Sequence, residues 1–487
     1  MKVRSVKTNY ILNIIRAASY AIITIVTMPH INTTLGPTNV GKVEYVNTII
    51  TYFVLFSALG IPVYGIREIA RVRNDKRLRD KTVVELLLIL SFTTIISYLL
   101  LFGVLYELDL FSDYRDLLLL MSVTILLTNL GAEWYFQGIE DQLYITVRYV
   151  GVRIVSLILL FLLVNSEDDY LFYALTLVVT VCGSNIFNIY YLLKNINFRQ
   201  VFEDKIDFRR HFKPVMTIFV AAVSVNIYLQ LDNFLISTIA GDKYLGYYSV
   251  SNKLIRFIIT FVTIVGMVML PRLSNLYDAD RNQYYEYLRK SFVMMLLMAI
   301  PSTITFLLFA PSIISLFAGG AFLPSIITMQ ILSPLCIIVA TAYFIGYLFL
   351  YTQNRENVYT RAVVFSALFS VAVNFFAIRY FQQNGAAVVS VLAEFLAIVI
   401  MFLSARKDLH KLHIFDKNFG KIVIVGICCL LICGVISFNA TPMHLFTKVG
   451  LILSPYVIFY ILLYISREKL TLELATVAGN KIKNLRS

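Results

Sequence analysis

The sequence is dominated by a long succession of apolar segments, each about as long as a lipid bilayer is thick. A transmembrane helix needs about 20 mostly apolar residues, and these segments do not alternate apolar and polar residues as the strands of a membrane barrel do. The sequence therefore predicts an all-α polytopic membrane protein with 14 transmembrane helices. The predicted spans are residues 10–31, 43–66, 83–106, 117–137, 145–165, 170–193, 213–239, 247–270, 291–311, 325–351, 359–380, 385–405, 420–438 and 446–466.

The distribution of charge predicts how these spans are oriented. Of the 487 residues, 59% are hydrophobic and 15% charged, which excludes an ordinary soluble protein. The formal net charge of +13 would suggest a nucleic-acid partner in a soluble chain. Here 33 of the 42 Lys and Arg residues lie in segments on one side of the predicted membrane, and five lie on the other. Positive charge collects on the inner side, so we expect both termini to be cytoplasmic and no nucleic acid to bind.

Two parts of the chain repeat each other at an offset of 205 residues. Because this offset covers six spans, an even number, the two halves have the same predicted orientation. We therefore expect an N-lobe of residues 1–200 with helices 1–6 and a C-lobe of residues 201–410 with helices 7–12. Residues 411–487 add helices 13–14 and a cytoplasmic tail. The repeated residues are Gly36, Gly41 and Asn47, which recur as Gly241, Gly246 and Asn252.

Three ionisable residues lie within the predicted seventh and eighth spans. Asp232 is on the seventh, and Lys253 and Arg256 are one turn apart on the eighth. An ionisable group at membrane depth faces a partner or a water-filled cavity. Lys253 and Arg256 could hold a diphosphate, with the guanidinium as a bidentate donor and the ammonium as a point charge. Alternatively they form an internal ion pair with Asp232, which would be their neutraliser or an ion-coupling site.

Further polar residues in the spans have two interpretations each. Arg16, near the inner end of the first span, could receive an anionic headgroup or extend to the inner surface, and for Arg153 extension to the surface is expected. Glu394, in the middle of the twelfth span, could bind a proton or Na⁺, or pair with a cation. Amide side chains could bind sugar hydroxyls or bond neighbouring helices: Asn47, Asn226, Gln230, Asn233, Gln330 and Asn374. No His and Cys spacing suggests a metal site, and no cofactor is expected.

Five stretches carry a resemblance to a known family. The chain resembles the oligosaccharide flippases of O-antigen and capsule biosynthesis, in the superfamily that includes multidrug-and-toxin extruders (MATE) and lipid II flippases. The resemblance implies two six-helix lobes around a V-shaped cavity, with two further helices. The stretches are LGPTNVGKVEYVNTI (35–49), LGIPVYGIREIARVRNDK (59–76), EWYFQGIEDQLYITVR (133–148), LDNFLISTIAGDKYLGYYSVSNKLIR (231–256) and NGAAVVSVLAEF (384–395).

The function that this resemblance implies is lipid-linked sugar transport. An undecaprenyl-diphosphate-linked oligosaccharide would move from the inner to the outer leaflet of a bacterial cytoplasmic membrane, coupled to H⁺ or Na⁺. A polysaccharide polymerase is the implied protein partner. The resemblance also implies a cationic cavity, to which Arg16, Lys253 and Arg256 would contribute.

The sequence also bears on four alternatives to a flippase for oligosaccharide repeat units. A multidrug or cation antiporter of the same fold usually needs acidic groups, but here Arg16, Lys253 and Arg256 outnumber Asp232 and Glu394 within the spans. A lipid II-type flippase is a further alternative. A membrane-embedded polymerase or ligase would typically carry a sizeable outer loop, which the chain lacks, so no enzyme is predicted. No phosphate-binding loop motif supports a pump driven directly by ATP.

Overall fold

The structure, a computed structural model, describes residues 6–198, 201, 206–410, 417–439, 444–468 and 471–472, without the side chains of 221–229, 439 and most residues before Ile22. Most of the described residues are helical. The helices of the first half are α1 (Val6–Ala58), α2 (Ile61–Val72), α3 (Lys76–Gly103), α4 (Arg115–Leu130), α5 (Glu133–Gly138), α6 (Gln142–Leu163), α7 (Tyr170–Cys182), α8 (Asn185–Asn195) and α9 (Arg209–Ala240).

The second half continues in the same way, with longer helices. They are α10 (Asp242–Ala279), α11 (Arg281–Leu308), α12 (Ala310–Phe317), α13 (Ser325–Leu332), α14 (Leu335–Tyr343), α15 (Glu356–Leu409), α16 (Lys417–Asn439) and α17 (Leu445–Ile465). A π-helix, Phe344–Leu350, follows α14 directly. Short 3₁₀ turns connect some of these elements: Leu105–Glu107, Asp109–Tyr114, Glu167–Asp169, Gly320–Phe322 and Tyr351–Gln353.

These helices make the chain a multi-pass membrane protein. Among the described residues, nine helices are long and apolar enough to cross a bilayer, or up to eleven if each of two bent helix pairs counts as one span. Described helices run through all 14 predicted spans, and α15 alone covers two of them, divided where Gln382 departs from helical geometry. The number of 14 crossings and the cytoplasmic termini stay predictions.

The repeated glycines mark two breaks with the same geometry. Gly36 interrupts α1 with φ 69° and ψ 172°, and Gly241 separates α9 from α10 with φ 105° and ψ 162°. Such positive φ values suit glycine, which has no Cβ to clash with the backbone. The 205-residue repeat therefore corresponds to a shared turn structure, which we call the glycine turns (residues 36–41 and 241–246).

The two glycine turns pack against each other through a reciprocal contact. A Cβ atom on Gly41 would overlap the carbonyl oxygen of Asp242, and a Cβ on Gly246 would overlap the carbonyl oxygen of Pro37. Pro37 and Asp242 are themselves 205 residues apart. The same contact is thus made twice with the partners exchanged, which is the signature of a local two-fold axis.

The chain forms two compact units, Met1–Gly246 and Tyr247–Ser487. In the first unit, a buried cluster of α2, α3, α5 and α6 surrounds Trp134, and a Cβ on Gly65 would lie 2.6 Å from its ring. In the second unit, α11, α16 and α17 bury a cluster that includes Phe459 and Leu463. The division into lobes of residues 1–200 and 201–410 stays a prediction.

Candidate functional site

The short helix α5 and the start of α6 place two charged residues of the first unit side by side. Ala132, with φ 39°, precedes α5, which begins at Glu133 and ends after six residues. The carboxylate of Asp141 then caps α6 by accepting the Tyr144 backbone N–H at 3.3 Å. This cap fixes where α6 begins, and Arg148 lies in its second turn.

Glu133 is the carboxylate at which three helices meet. Its Oε1 accepts hydrogen bonds from Arg16 Nη1 of α1 at 3.1 Å and from Gln137 Nε2 at 3.2 Å. Its Oε2 lies 3.7 Å from Arg148 Nη2 of α6. Arg16 therefore points to a carboxylate of the same unit, which the sequence alone did not identify as its partner.

Arg148 is buried, and its guanidinium makes no close hydrogen bond with the residues that the structure describes. Its side chain is 5% exposed, and within the described part of the chain Nε, Nη1 and Nη2 all lack a hydrogen-bond partner. The guanidinium carbon lies 5.1 Å and 5.6 Å from the ring centroids of Tyr144 and Phe136. An unsatisfied buried donor costs about 1–3 kcal/mol, more for a charged group. Arg148 is therefore suited to bind oxygen atoms of a ligand.

Arg153 corrects one expectation from the sequence. It does not extend to a surface: the residue is buried, and Nη1 donates to the carbonyl oxygen of Arg16 at 3.1 Å and to Ser19 Oγ at 3.0 Å. Its guanidinium carbon lies 4.0 Å from the Tyr149 ring centroid. The residue ties α6 to α1, a role that depends on helix packing and is invisible in the sequence of α6.

Together these residues form what we call the arginine cluster: Arg16, Glu133, Arg148 and Arg153. Two guanidinium groups, those of Arg16 and Arg148, share the Glu133 carboxylate, and Arg153 is bonded to the Arg16 carbonyl. The cluster therefore carries an excess of positive charge. Guanidinium groups bind phosphate oxygens through paired hydrogen bonds. The cluster is therefore chemically suited to hold an anion. No group of three or more His, Cys, Asp or Glu residues in the described chain could hold a metal ion.

The predicted residues of the seventh and eighth spans fall in different units. Asp232, on α9, is partly buried in the first unit and interacts electrostatically with Tyr52. Lys253 and Arg256, on α10, are partly buried in the second unit, and Arg256 Nε donates to Asn252 Oδ1 at 3.3 Å. The diphosphate contact of Lys253 and Arg256 and their neutralisation by Asp232 stay predictions.

Glu394 lies beside a group of tyrosines in the second unit. It is partly buried on α15 and interacts electrostatically with Tyr359. The Tyr359 ring centroid lies 5.1 Å from that of Tyr347, which stacks on Tyr343 at 4.7 Å. A role for Glu394 in ion coupling stays a prediction.

Several of the amide side chains bond to neighbouring groups of the protein. Asn233 Nδ2 donates to Thr48 Oγ1 of α1 at 3.4 Å, and Gln330 Nε2 donates to the Leu307 carbonyl at 3.0 Å. Asn374 Nδ2 donates to Ser370 Oγ at 3.0 Å on its own helix. These contacts favour a structural role for the three residues. The side chain of Asn226 lies outside the described residues.

Two protein families match the sequence. A sequence model of the polysaccharide biosynthesis protein family matches residues 6–277, and one of the lipid II flippase MurJ matches residues 150–454. The "Putative O-antigen transporter" of Escherichia coli (strain K12) is 21% identical over 408 residues, which cover 83% of this chain and 97% of that protein.

Solved structures share the fold at low sequence identity. The lipid II flippase MurJ in an inward closed conformation has a TM-score of 0.67 and 15% identity, covering 94% of this chain and 99% of that chain. An inward-facing multidrug resistance MATE family transporter of the MOP superfamily has a TM-score of 0.59 and 16% identity, covering 80% and 98%. The fold is therefore MurJ-like and MATE-like, as the resemblance predicted.

The first family match spans 272 of the 487 residues, from 6 to 277, and so covers more than half of the chain. Its position agrees with the sequence motifs of residues 35–49, 59–76, 133–148 and 231–256. The chain belongs to the polysaccharide biosynthesis protein family.

Proposed function

We propose that the protein moves an undecaprenyl-diphosphate-linked oligosaccharide repeat unit from the inner to the outer leaflet of a bacterial cytoplasmic membrane. The product would serve O-antigen, capsule or exopolysaccharide synthesis, with a polysaccharide polymerase acting after translocation. Membership of the polysaccharide biosynthesis family and the name of the Escherichia coli relative support this cargo. The MurJ-like fold supports a transport mechanism rather than catalysis.

The observation that carries the proposal is the buried guanidinium of Arg148, which shares the Glu133 carboxylate with Arg16 and forms no close hydrogen bond with the described residues. A charged donor inside apolar helices is stabilised when a ligand supplies the missing acceptors. A diphosphate supplies several anionic oxygens in the right geometry for guanidinium groups. A cationic drug would be repelled by the same cluster, so the charge favours the flippase over a multidrug antiporter.

The predicted topology gives the cationic residues an order of use. Arg16 and Arg148 lie near the inner ends of the predicted first and fifth spans, where a headgroup would enter from the cytoplasmic leaflet. Lys253 and Arg256 lie deeper, in the predicted eighth span, and would hold the diphosphate during translocation. Asp232 and Glu394 would balance this charge or bind the coupling ion, H⁺ or Na⁺.

The glycine turns would form the opposite end of the pathway. In the predicted topology both turns are outer loops, and their reciprocal packing would close that end while the headgroup enters. Opening this contact would then let the sugars leave to the outer leaflet, as alternating access requires. The proposal therefore assigns binding to the arginine cluster and closure to the glycine turns.

A binding experiment tests the cargo. Purified protein is titrated with undecaprenyl diphosphate and, in parallel, with undecaprenol, which lacks the phosphates. We expect the diphosphate to bind at least tenfold more tightly, and Arg148→Gln to remove about tenfold of that affinity, or about 1.4 kcal/mol. Arg148→Lys keeps the charge but loses the paired donors, so its affinity for the diphosphate should lie between those of the unmodified protein and Arg148→Gln.

Arg361→Gln is the matched control, because Arg361 is an exposed cation on α15. It should leave the affinity unchanged. Equal binding of the diphosphate and the alcohol would overturn the proposed cargo. Tight binding of tetraphenylphosphonium that Arg148→Gln leaves unaltered would instead favour the multidrug antiporter.

A further inference from the structure

A second buried polar group lies at the junction of α2, α3 and the start of α9. The Tyr64 hydroxyl lies 2.8 Å from His211 Nδ1, and His211 Nε2 lies 2.9 Å from Glu85 Oε2. Tyr64, His211 and Glu85 are 3%, 2% and 0% exposed. None of them belongs to the arginine cluster, and nothing in the proposed transport pathway uses them.

Arg210 completes this group, which we call the His211 cluster (Tyr64, Glu85, Arg210 and His211). Arg210 Nη2 donates to the same Glu85 Oε2, and Arg210 Nε lies 3.2 Å from His211 Nε2. A ring nitrogen cannot donate to Glu85 and accept from Arg210 at the same time. When His211 Nε2 donates to Glu85, it therefore accepts no hydrogen bond from Arg210 Nε.

Tyr64, His211 and Glu85 can accommodate one added proton without moving their heavy atoms. When His211 is neutral with its proton on Nε2, that N–H donates to Glu85 and the Tyr64 hydroxyl donates to Nδ1. When Nδ1 gains a proton, its N–H donates to Tyr64, whose hydroxyl hydrogen turns away, since a phenol oxygen also accepts. Tyr64 and Glu85 thus satisfy both the imidazole and the imidazolium.

Adding that proton weakens the interaction of Arg210 with Glu85. The imidazolium and the guanidinium would share one carboxylate while Arg210 Nε and His211 Nε2 are 3.2 Å apart. Like charges at this distance repel strongly in a buried setting. The Arg210 side chain is 38% exposed, so it can turn out into water. Tyr64, Glu85 and His211 are buried and cannot turn into water in this way.

Other charged groups surround the His211 cluster on the elements packed against it. On α2, Arg67 lies with its guanidinium 5.3 Å from the Tyr64 ring centroid, and Glu68 and Arg71 also act electrostatically on Tyr64. On α3 the charged group is Glu85 itself, with Thr82 Oγ1 accepting from Arg210 at 3.4 Å. Before α9, the Asp207 carboxylate accepts the Arg209 backbone N–H at 3.0 Å.

Glu85 connects this chemistry to the backbone. Its Oε1 accepts the Asp207 backbone N–H at 2.9 Å, so one buried carboxylate anchors the segment that leads into α9. Asp80, five residues earlier on α3, accepts the Asn197 backbone N–H at 3.4 Å. The backbone at Asn197 and at Asp207 is therefore held by α3, and the contact at Asp207 depends on the charge around Glu85.

We propose that the His211 cluster is a proton-binding site that controls how the start of α9 is attached to α2 and α3. One proton from the aqueous phase binds at His211 Nδ1, Arg210 leaves Glu85, and the anchor at Asp207 loosens. The inference does not depend on the proposed cargo. Histidine is the side chain whose unperturbed charge changes between about pH 5 and 8, so the test covers that range.

Hydrogen exchange of the full-length protein in nanodiscs tests this site. The protection of the peptide covering 206–211 is measured from pH 5.5 to 8.5 and corrected with the exchange rates of the unfolded chain. We expect protection to fall several-fold as the pH is lowered, in one step. His211→Gln should abolish the step. Protection that shows no step in the unmodified protein, or a step that survives in His211→Gln, would overturn the proposal.

His30→Gln provides a matched control, since His30 Nε2 lies 2.8 Å from the Val164 carbonyl and belongs to another part of the first unit. It should keep the step. Arg210→Gln gives a test that does not remove the histidine. Without the competing cation the proton binds more tightly, so the step should move up by about one pH unit. A step that stays in place or moves down would contradict the role of Arg210.

Discussion

Gly41 and Gly246 occupy equivalent places in a reciprocal contact, each facing a backbone carbonyl oxygen of the other's turn. Both carbonyls are backbone groups, which cannot move aside as a flexible side chain can. The contact therefore requires glycine at both positions, and it is lost when the two turns separate. If the turns close the outer end of a transport pathway, a methyl group at either position should hold that end open.

Gly41→Ala and Gly246→Ala are each expected to separate the glycine turns. Overpacking of a close contact costs about 1–3 kcal/mol, and the clash is with backbone. Val40, which is buried beside the contact, is replaced by cysteine in a chain whose native cysteines have been removed. Reaction of this cysteine with a membrane-impermeant maleimide should become several-fold faster in both variants.

Gly103→Ala is the control for this experiment, because a Cβ at that position would meet no atom within 4 Å. Its labelling rate should match that of the parent chain. If Gly41→Ala and Gly246→Ala also leave the rate unchanged, the turns do not open by separating at this contact.

Glu133→Gln is expected to change stability and anion affinity in opposite directions. The variant leaves Arg16 and Arg148 without their shared carboxylate, so the thermal midpoint should fall. The cluster becomes more positive at the same time, and its affinity for undecaprenyl diphosphate should rise several-fold. Glu68→Gln, which removes a carboxylate bonded to Arg67 and Arg71, should leave that affinity unaltered. A lower affinity in Glu133→Gln would show that Glu133 orients the guanidinium groups more than it neutralises them.

Arg153→Gln is expected to act on stability more than on binding. The carbonyl of Arg16 and the hydroxyl of Ser19 lose their shared donor, which should lower the free energy of unfolding by about 1–3 kcal/mol. Ser19→Ala removes one of these two contacts and should cost less. Thermal unfolding of the purified variants measures both effects. A loss of diphosphate affinity as large as that in Arg148→Gln would instead place Arg153 in direct contact with the ligand.

Arg256→Ala is expected to abolish translocation while the protein still inserts into the membrane. Among the described residues, Arg256 donates to Asn252 Oδ1 through Nε, and its two terminal nitrogens are the groups proposed to meet the diphosphate. Asn252→Ala removes the internal bond and keeps the charge, so it should reduce transport by a smaller factor. Surface polysaccharide, measured together with membrane abundance, distinguishes the two. Normal polysaccharide in Arg256→Ala would remove this residue from the mechanism.

The helical fold and the glycine repeat could be predicted from the sequence because each has a local cause. Long apolar segments favour membrane helices wherever they occur, and a positive φ with a close backbone contact selects glycine itself. The break between α1 and α2 also has a local cause, since Leu59 and Gly60 adopt φ values of 48° and 76° there. Pro62, which the sequence indicates as a point where the helix bends, lies in the first turn of α2.

The arginine cluster could not be predicted because its contacts are distant in sequence. Arg16 and Glu133 are 117 residues apart, and their pairing depends on how α1, α5 and α6 pack. In the sequence, Arg148 is one of several cations near the predicted inner surface, because hydropathy does not show which face of a helix packs against other helices. Glu133 and Arg148 are the first and last residues of one of the family motifs, which is the one local indication of a shared role.

The contacts of Glu85 also determine when, during synthesis, the first unit can complete its packing. Its partners Asp207, Arg210 and His211 leave the ribosome more than 120 residues after it, so α3 is inserted long before its buried carboxylate can be satisfied. The first unit is complete only once α9 has been synthesised. A gene divided after Gly246 would keep this anchor within one polypeptide, whereas a gene divided at residue 200 would place Glu85 and its partners on separate chains.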